Sequence, residues 1–184
     1  MKRLATVALL LLWLAPAKAQ TVTTIGALSK TACVPQGHAA GPYAAGTAVG
    51  LLIPFYNIFR GSGPNYGGRL MSVSLTSQTA LSPAGFKLYQ FWHPPYNTLG
   101  PNSQSPFVDK MVPVLDPRDA MFMTPPITMF AADTALGGTV YGQDNIGRAV
   151  MHYVPNDYWL IVTNSPVTFS SSNELTLCVT YQLD

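Results

Sequence analysis

Charge is what this sequence has least of. Lys, Arg, Asp and Glu together supply 10% of its 184 residues, against about a quarter in an ordinary globular chain. Glutamate occurs once, at Glu174, and histidine three times, at His38, His93 and His152. That scarcity narrows the chemistry. The imidazoles form no HxH or HExxH pattern and no local pair with a carboxylate, so no metal site is read from them. Asp109, Asp116 and Asp119 could gather around calcium, but the stretch DPRDA lacks the alternating oxygen ligands of a calcium loop. Glycoside hydrolysis takes two carboxylates, and a lone Glu174 is a weak hint of it. There is no GxSxG elbow, and no Asn-x-Ser/Thr acceptor. The glycines from Gly61 to Gly68 resemble a phosphate loop only in their density, since no Lys-Ser/Thr follows. The expectation is a protein that is not an enzyme and needs no metal or cofactor.

Long apolar runs are missing too, except at the start. Lys2 and Arg3 precede an apolar stretch from Leu4 to Leu14, and Ala17-Lys18-Ala19 follows as an A-x-A cleavage site. These are the three parts of a secretory signal peptide, residues 1–19. The apolar run is about half of the ~20 residues that span a bilayer, so no stable membrane insertion is expected after cleavage. Removal of residues 1–19 takes three of the ten basic residues, leaving seven against eight acidic ones, a net charge of −1. Nucleic acid, which demands clustered positive charge, is not a partner on this reading. Cysteine is nearly absent as well. Cys33 and Cys178 lie near opposite ends of residues 20–184, too far apart for a CxxC or zinc pattern. In a secreted or periplasmic protein a disulfide between them is the natural reading, with two buried thiols or interchain links as alternatives.

What the sequence does have is alternation with period two. Met71, Val73 and Leu75 alternate with Ser72, Ser74 and Thr76. Phe86, Leu88, Gln90 and Trp92 alternate with Lys87, Tyr89, Phe91 and His93. A strand turns successive side chains to opposite faces, so both stretches read as strands. The polar segment 77–85 between them reads as a hairpin loop. Further strands are expected over residues 21–28, 48–55, 127–132, 139–141, 149–154, 158–163 and 175–183, with turn-rich stretches at 33–50, 57–68, 155–157 and 166–173. No segment beyond the signal keeps a 3.6-residue period. The fold expected is therefore all-β, a single-domain antiparallel β-sandwich over residues 20–184, jelly-roll-like.

Between Pro94 and Pro126 stand eight of the sixteen prolines, which rules out continuous sheet there. The segment reads as a long Pro-rich loop with one short strand near residues 111–115. Excursions of such length are commonly functional or interface-forming. Tyr89, Phe91, Trp92, Tyr96, Phe107 and Phe122 are accordingly the candidates for an interaction surface facing a protein partner, itself another copy or a lattice. The group Tyr89, Phe91, Trp92 and Tyr96, with Asn97 and Asn102 nearby, could alternatively stack sugars, making glycans the second class of partner.

Several stretches carry a resemblance. Tyr43-Ala44-Ala45-Gly46 before a strand, Gly67-Gly68-Arg69 running into a strand to Leu75, Leu88 to Pro95, Tyr158 to Val162, and Ser172 to Leu177 follow one another in an order that resembles small tailed-phage structural proteins of the capsid decoration or cement kind. The likeness covers most of residues 43–184 and consists of strand patterns. It implies a β-sandwich that packs on a lattice or on copies of itself without a cofactor, at a virion surface. The signal peptide and the cysteine pair depart from that pattern, and a secreted protein built on the same sandwich would reconcile the two.

Overall fold

The computed structural model describes residues 21–24, 29–59, 66–79, 81, 85–95, 97–100, 103–105, 107–114, 126–130, 138–143, 146–152 and 155–183. The signal peptide expected at residues 1–19 lies outside them. Among the described residues every regular element is a strand, and no helix is long and apolar enough to cross a membrane.

Strand formation follows the alternation where it is strict. In Leu175–Leu183 (β14) the odd-numbered residues are buried, from Leu175 through Leu177, Val179 and Tyr181 to Leu183, and the even-numbered ones face outward. It pairs antiparallel with Ser29–Gln36 (β2) on one side and with Tyr66–Ser77 (β5) on the other. Thr21–Thr24 (β1) adds to β2. The twelve residues of β5 are longer than either partner on its free side, so two five-residue strands share that edge. Thr139–Gln143 (β10) pairs with residues 73–77 and Arg148–His152 (β11) with residues 66–70. These six strands make the larger sheet.

The smaller sheet has the order Ile53–Phe55 (β4), Asp157–Thr163 (β12), Gly85–Phe91 (β6), Ile127–Phe130 (β9). All its pairings are antiparallel. Gly41–Tyr43 (β3) with Val167–Phe169 (β13), and Asn97–Gly100 (β7) with Ser103–Ser105 (β8), form two small ribbons. One continuous core takes Val73, Leu75, Leu177, Val179 and Tyr181 from the larger sheet and Phe86, Leu88, Trp159 and Ile161 from the smaller. Burying each such side chain is worth about 1.5–3 kcal/mol. The fold is sandwich-like and all-β, with antiparallel sheets sharing that core.

Three expectations are corrected. β5 and β6 do not form a hairpin: β5 belongs to the larger sheet and β6 to the smaller. The segment between them crosses from one layer to the other, with Leu81 buried in the core. Its start is tied to the far end of the chain. Gln78 N donates to Glu174 O at 3.1 Å, and Thr79 Oγ1 donates to Glu174 Oε2 at 2.9 Å. Met71 does not share the inward face of Val73, because the β5–β14 register shifts beside it. A bulge inserts one residue, so Leu70 takes the inward place instead. Residues 33–50 are not turn throughout, since β2 runs on to Gln36. Its Nε2 donates to Val49 O and Leu51 O at 2.7 and 2.6 Å, a long-range pairing that no local propensity announces.

A polar knot spans the core. Asp157, at the start of β12, is fully buried. Its Oδ2 accepts from Trp159 Nε1 at 2.6 Å and Gln90 Nε2 at 3.0 Å, and from the Tyr181 hydroxyl of the opposing sheet. Burial pushes the Asp157 carboxyl up from 3.8 to about 7, against the pull of those three donors. Asp157 thereby joins the two layers.

Candidate functional site

The outer face of the smaller sheet carries a second, minor cluster of buried side chains: Ala48, Phe91, Phe107, Leu160 and Val162. Two irregular segments, 44–52 and 107–114, lie across it. Alternation in β6 and β12 sends Phe86, Leu88, Trp159 and Ile161 inward and leaves Lys87, Tyr89, Phe91, Leu160 and Val162 on this outer side. Gly46 N donates to Thr163 O at 2.7 Å and Thr163 N to Thr47 O at 2.9 Å, so residues 46–48 run along the edge of β12. Lys110 N then donates to Ala48 O at 2.9 Å and Ala48 N to Met111 O at 2.7 Å. The long loop thus adds itself to the sheet through residues 110–111, close to the short strand expected at 111–115, without forming a regular one; Leu115 lies outside the described residues.

Asp109 holds that junction. Its Oδ2 accepts from Ala39 N at 2.9 Å and from the Tyr43 hydroxyl at 2.6 Å, and its Oδ1 from Gly50 N at 2.6 Å. Partial burial works against ionisation, but the Tyr43 hydroxyl and the two amides outweigh it and hold the carboxyl below its ordinary value. Burial first, then Asp109, pushes the Tyr43 phenol well up. Gly50 has φ +72°, and a Cβ there would stand 2.2 Å from Gly37 O, so the close approach needs glycine. Lys110 Nζ donates to Ala40 O at 3.1 Å and lies 4.8 Å from the centre of the Tyr43 ring. With both its oxygens engaged by protein donors, Asp109 acts as a clasp and not as the calcium ligand weighed above; Asp116 and Asp119 lie outside the described residues. Asp109→Ala is expected to cost about 2 kcal/mol, the net worth of hydrogen bonds to a half-exposed carboxylate. A urea midpoint lowered at unchanged slope checks it.

The segment so clasped carries exposed apolar side chains: Val108 (48%), Val112 (63%) and Val114 (52%), with Leu51 (54%) next to Gly50 on the facing segment. Beside it runs a cleft of about 440 Å³ lined by Ala45, Gly46, Lys87, Tyr89, Pro113, Leu160, Val162, Thr163 and Asn164.

The surface candidates fare unequally. Tyr89 is half-buried and walls the cleft. Trp92 is half-buried, and its buried indole nitrogen finds no hydrogen-bond partner among the described residues. Phe91 and Phe107 are corrections: at 0% and 2% exposure they pack beneath the loop and offer no surface. The reason is that the loop covers the outer face of β6 at its Phe91 end, while Lys87 and Tyr89 farther along that face stay part-exposed. Tyr96 and Phe122 lie outside the described residues. Cys33 and Cys178 are joined, directly opposite one another on β2 and β14, and half-exposed on the outer face of the larger sheet. The disulfide fits an oxidising compartment.

The remaining candidates are structural in their surroundings. His38 is buried and accepts from Glu174 N at Nε2, 3.2 Å away, so its proton sits on Nδ1, which donates to Ala39 O at 2.9 Å. His93 is half-exposed, and nothing is described of the His152 side chain. Glu174 is buried, and its Oε2 accepts from Thr79, Ser170 and both the amide and hydroxyl of Ser171. Among the described residues no three His, Cys, Asp or Glu side chains gather closely enough to hold a metal ion.

Lys87, Asn164 and the three valines were not singled out by sequence reasoning. A signal for Lys87 existed: it shares the Tyr89 face of β6, one pleat away, in a chain where cations are rare. The chain matches no protein-family model and no curated protein.

Proposed function

We propose that this chain is a non-enzymatic, exported structural protein that acts through protein–protein contacts, as an assembly or surface-decoration subunit on a jelly-roll-like sandwich. One observation carries the reading: Leu51, Val108, Val112 and Val114 are exposed on two segments that Asp109 and the Ala48 pairing hold in place. Ordering an apolar surface this firmly, with backbone bonds and a carboxylate clasp, suits a contact face. Val112 and Val114 alternate with half-buried Met111 and Pro113, so the segment presents both valines outward together. The occupant proposed is a second copy of this chain. Low overall charge removes the usual repulsion between copies, and the resemblance to virion decoration proteins points the same way. A disulfide-compatible compartment agrees with secretion to the periplasm, the cell exterior or a virion surface.

The test is sedimentation velocity from micromolar to millimolar protein. The parent is expected to increase in mass across that range, whereas V112K/V114K stays a monomer of unchanged melting temperature, exposed substitutions altering stability by about 0.5 kcal/mol or less. A parent that stays monomeric throughout removes the second copy as occupant.

A further inference from the structure

The cleft beside the loop is chemically unlike the valine edge. Its floor is Leu160 and Val162, and two flat side chains, Tyr89 and Pro113, stand among its lining. Its polar groups are few and distinct. Among the described residues Lys87 is the only charged one in the lining, and none of them offers its ammonium group a hydrogen-bond or ion-pair partner. Asn164 is exposed, and while its backbone amide donates to Gly85 O, its side-chain amide is uncommitted among the described residues. Thr163, by contrast, is spent: its hydroxyl donates to Ala44 O at 2.6 Å and so fixes the Ala45–Gly46 rim.

We propose that this cleft binds an acidic saccharide, a pyranose bearing a carboxylate, with Lys87 on the carboxylate, Asn164 on ring hydroxyls and the Tyr89 ring against the sugar's C–H face. Each feature narrows the ligand. A cleft of about 440 Å³ falls in the size range of small-ligand sites. One cation, with no acidic residue among the described lining, engages a single carboxylate of the ligand. A phosphate group fits poorly, because the Gly46 amide in the lining is already bonded to Thr163 O and the described residues offer no helix terminus there. An aromatic wall beside an amide and an ammonium group suits a molecule with one apolar face and a polar rim, which is how a pyranose presents itself. Neighbouring same-face residues on a strand are about 7 Å apart, so Lys87 and Tyr89 can engage the carboxylate and the ring of one ligand together. The clasped loop supplies Pro113, so the site is completed by the same segment that carries the valines, yet it shares none of their side chains.

The experiment is titration calorimetry of the full chain at low salt with three probes: digalacturonate, its dimethyl ester, and octanoate. Digalacturonate is expected to bind, with affinity falling as salt rises. The dimethyl ester, which keeps the sugar and loses the charge, is expected to bind about tenfold more weakly or worse. K87Q is expected to bring digalacturonate down to the ester's level, and Y89L to weaken both sugars, with unaltered circular dichroism certifying each fold. Binding of octanoate as tight as that of digalacturonate would overturn the assignment in favour of an aliphatic acid. Absence of binding by the parent at millimolar digalacturonate, or a K87Q variant that binds as the parent does, also overturns it. The proposal goes beyond the contact function and fails separately from it, since V112K/V114K leaves Lys87, Tyr89 and Asn164 in place.

Discussion

Raising the pH from about 4 to about 7 is expected to destabilise this protein by on the order of 4 kcal/mol, the reverse of the usual carboxylate behaviour. Asp157 is the cause. Its folded carboxyl is pushed up from 3.8 to about 7, with burial as the dominant influence. Below pH 3.8 both folded and unfolded chains hold the proton, and nothing is lost. Between the two values the unfolded chain releases its proton while the folded one keeps it, so each rise in pH favours unfolding. Above about 7 both forms are ionised and the loss is complete. Asp109 works with the opposite sign in a lower window. Its folded carboxyl lies below 3.8, so its stabilisation is full above 3.8 and fades only as the pH falls further. The two together place the stability maximum just below pH 4. Urea titrations at steps of pH would show the midpoint falling toward neutrality. D157N, which keeps an oxygen for Trp159, Tyr181 and Gln90 but cannot ionise, should flatten that slope. A parent whose midpoint is constant from pH 4.5 to 7.5 would show that Asp157 is already charged in the folded state, and the argument would be lost.

Asp157 also illustrates where sequence reading reaches its limit. Pro155-Asn156-Asp157 reads as a turn, yet Asp157 already opens β12, and Asn156 Oδ1 accepts from the distant Asn57 N at 3.0 Å. That the third residue enters the core depends on Tyr181 and Gln90, 24 and 67 positions away, which no short window contains. Strand identity was legible for the same reason that it is physical. β6, β12 and β14 bury one side against a shared core, and period-two patterning records that. Strand partnership was not. β5 and β6 look like hairpin arms, but β5 finds its neighbour in β14, whose register is determined by nine residues of pairing. The buried Phe91 and Phe107 fail as surface residues because the loop covers that end of the outer face of β6, and sequence alone cannot tell a covering loop from a partner. Tyr89 was found, whereas Lys87 and Asn164 were not, because a site on a sheet face is assembled from strands that meet only in space. The prolines marked residues 94–126 as an excursion, but its described strands are β7 and β8 and not one near residues 111–115. What those prolines leave open is where Asp109 ties it down.

Replacing Cys33 and Cys178 by serine is expected to lower stability by about 5 kcal/mol, the chain-entropy value for a cross-link between residues 145 apart. Few disulfides allow so clean a measurement. Both cysteines are half-exposed on the outer face of the larger sheet, so their removal opens no cavity in the core. Their surroundings accept hydroxyls. Thr31 and Thr180 are joined by a 2.9 Å hydrogen bond one pleat away, Thr176 shares the outer side of β14, and Ser74 sits opposite Cys178 on β5. The β2–β14 ladder extends over eight residue pairs, so the native pairing persists without the covalent link and the loss falls on the denatured state. For a chain of this size each kcal/mol moves the melting temperature by about 2–4 °C, so a decrease of about 10–20 °C is expected. Against a total stability of about 5–15 kcal/mol, that would leave C33S/C178S marginal at warm temperatures. The link lies on an outer face and not in the core, so reductant is expected to reach it. Dithiothreitol should therefore bring the parent down to the level of C33S/C178S and leave that variant where it is. A decrease of less than about 1 kcal/mol would show that the ends of the denatured chain already stay together without the link, and that β2 and β14 pair before the rest of the fold forms.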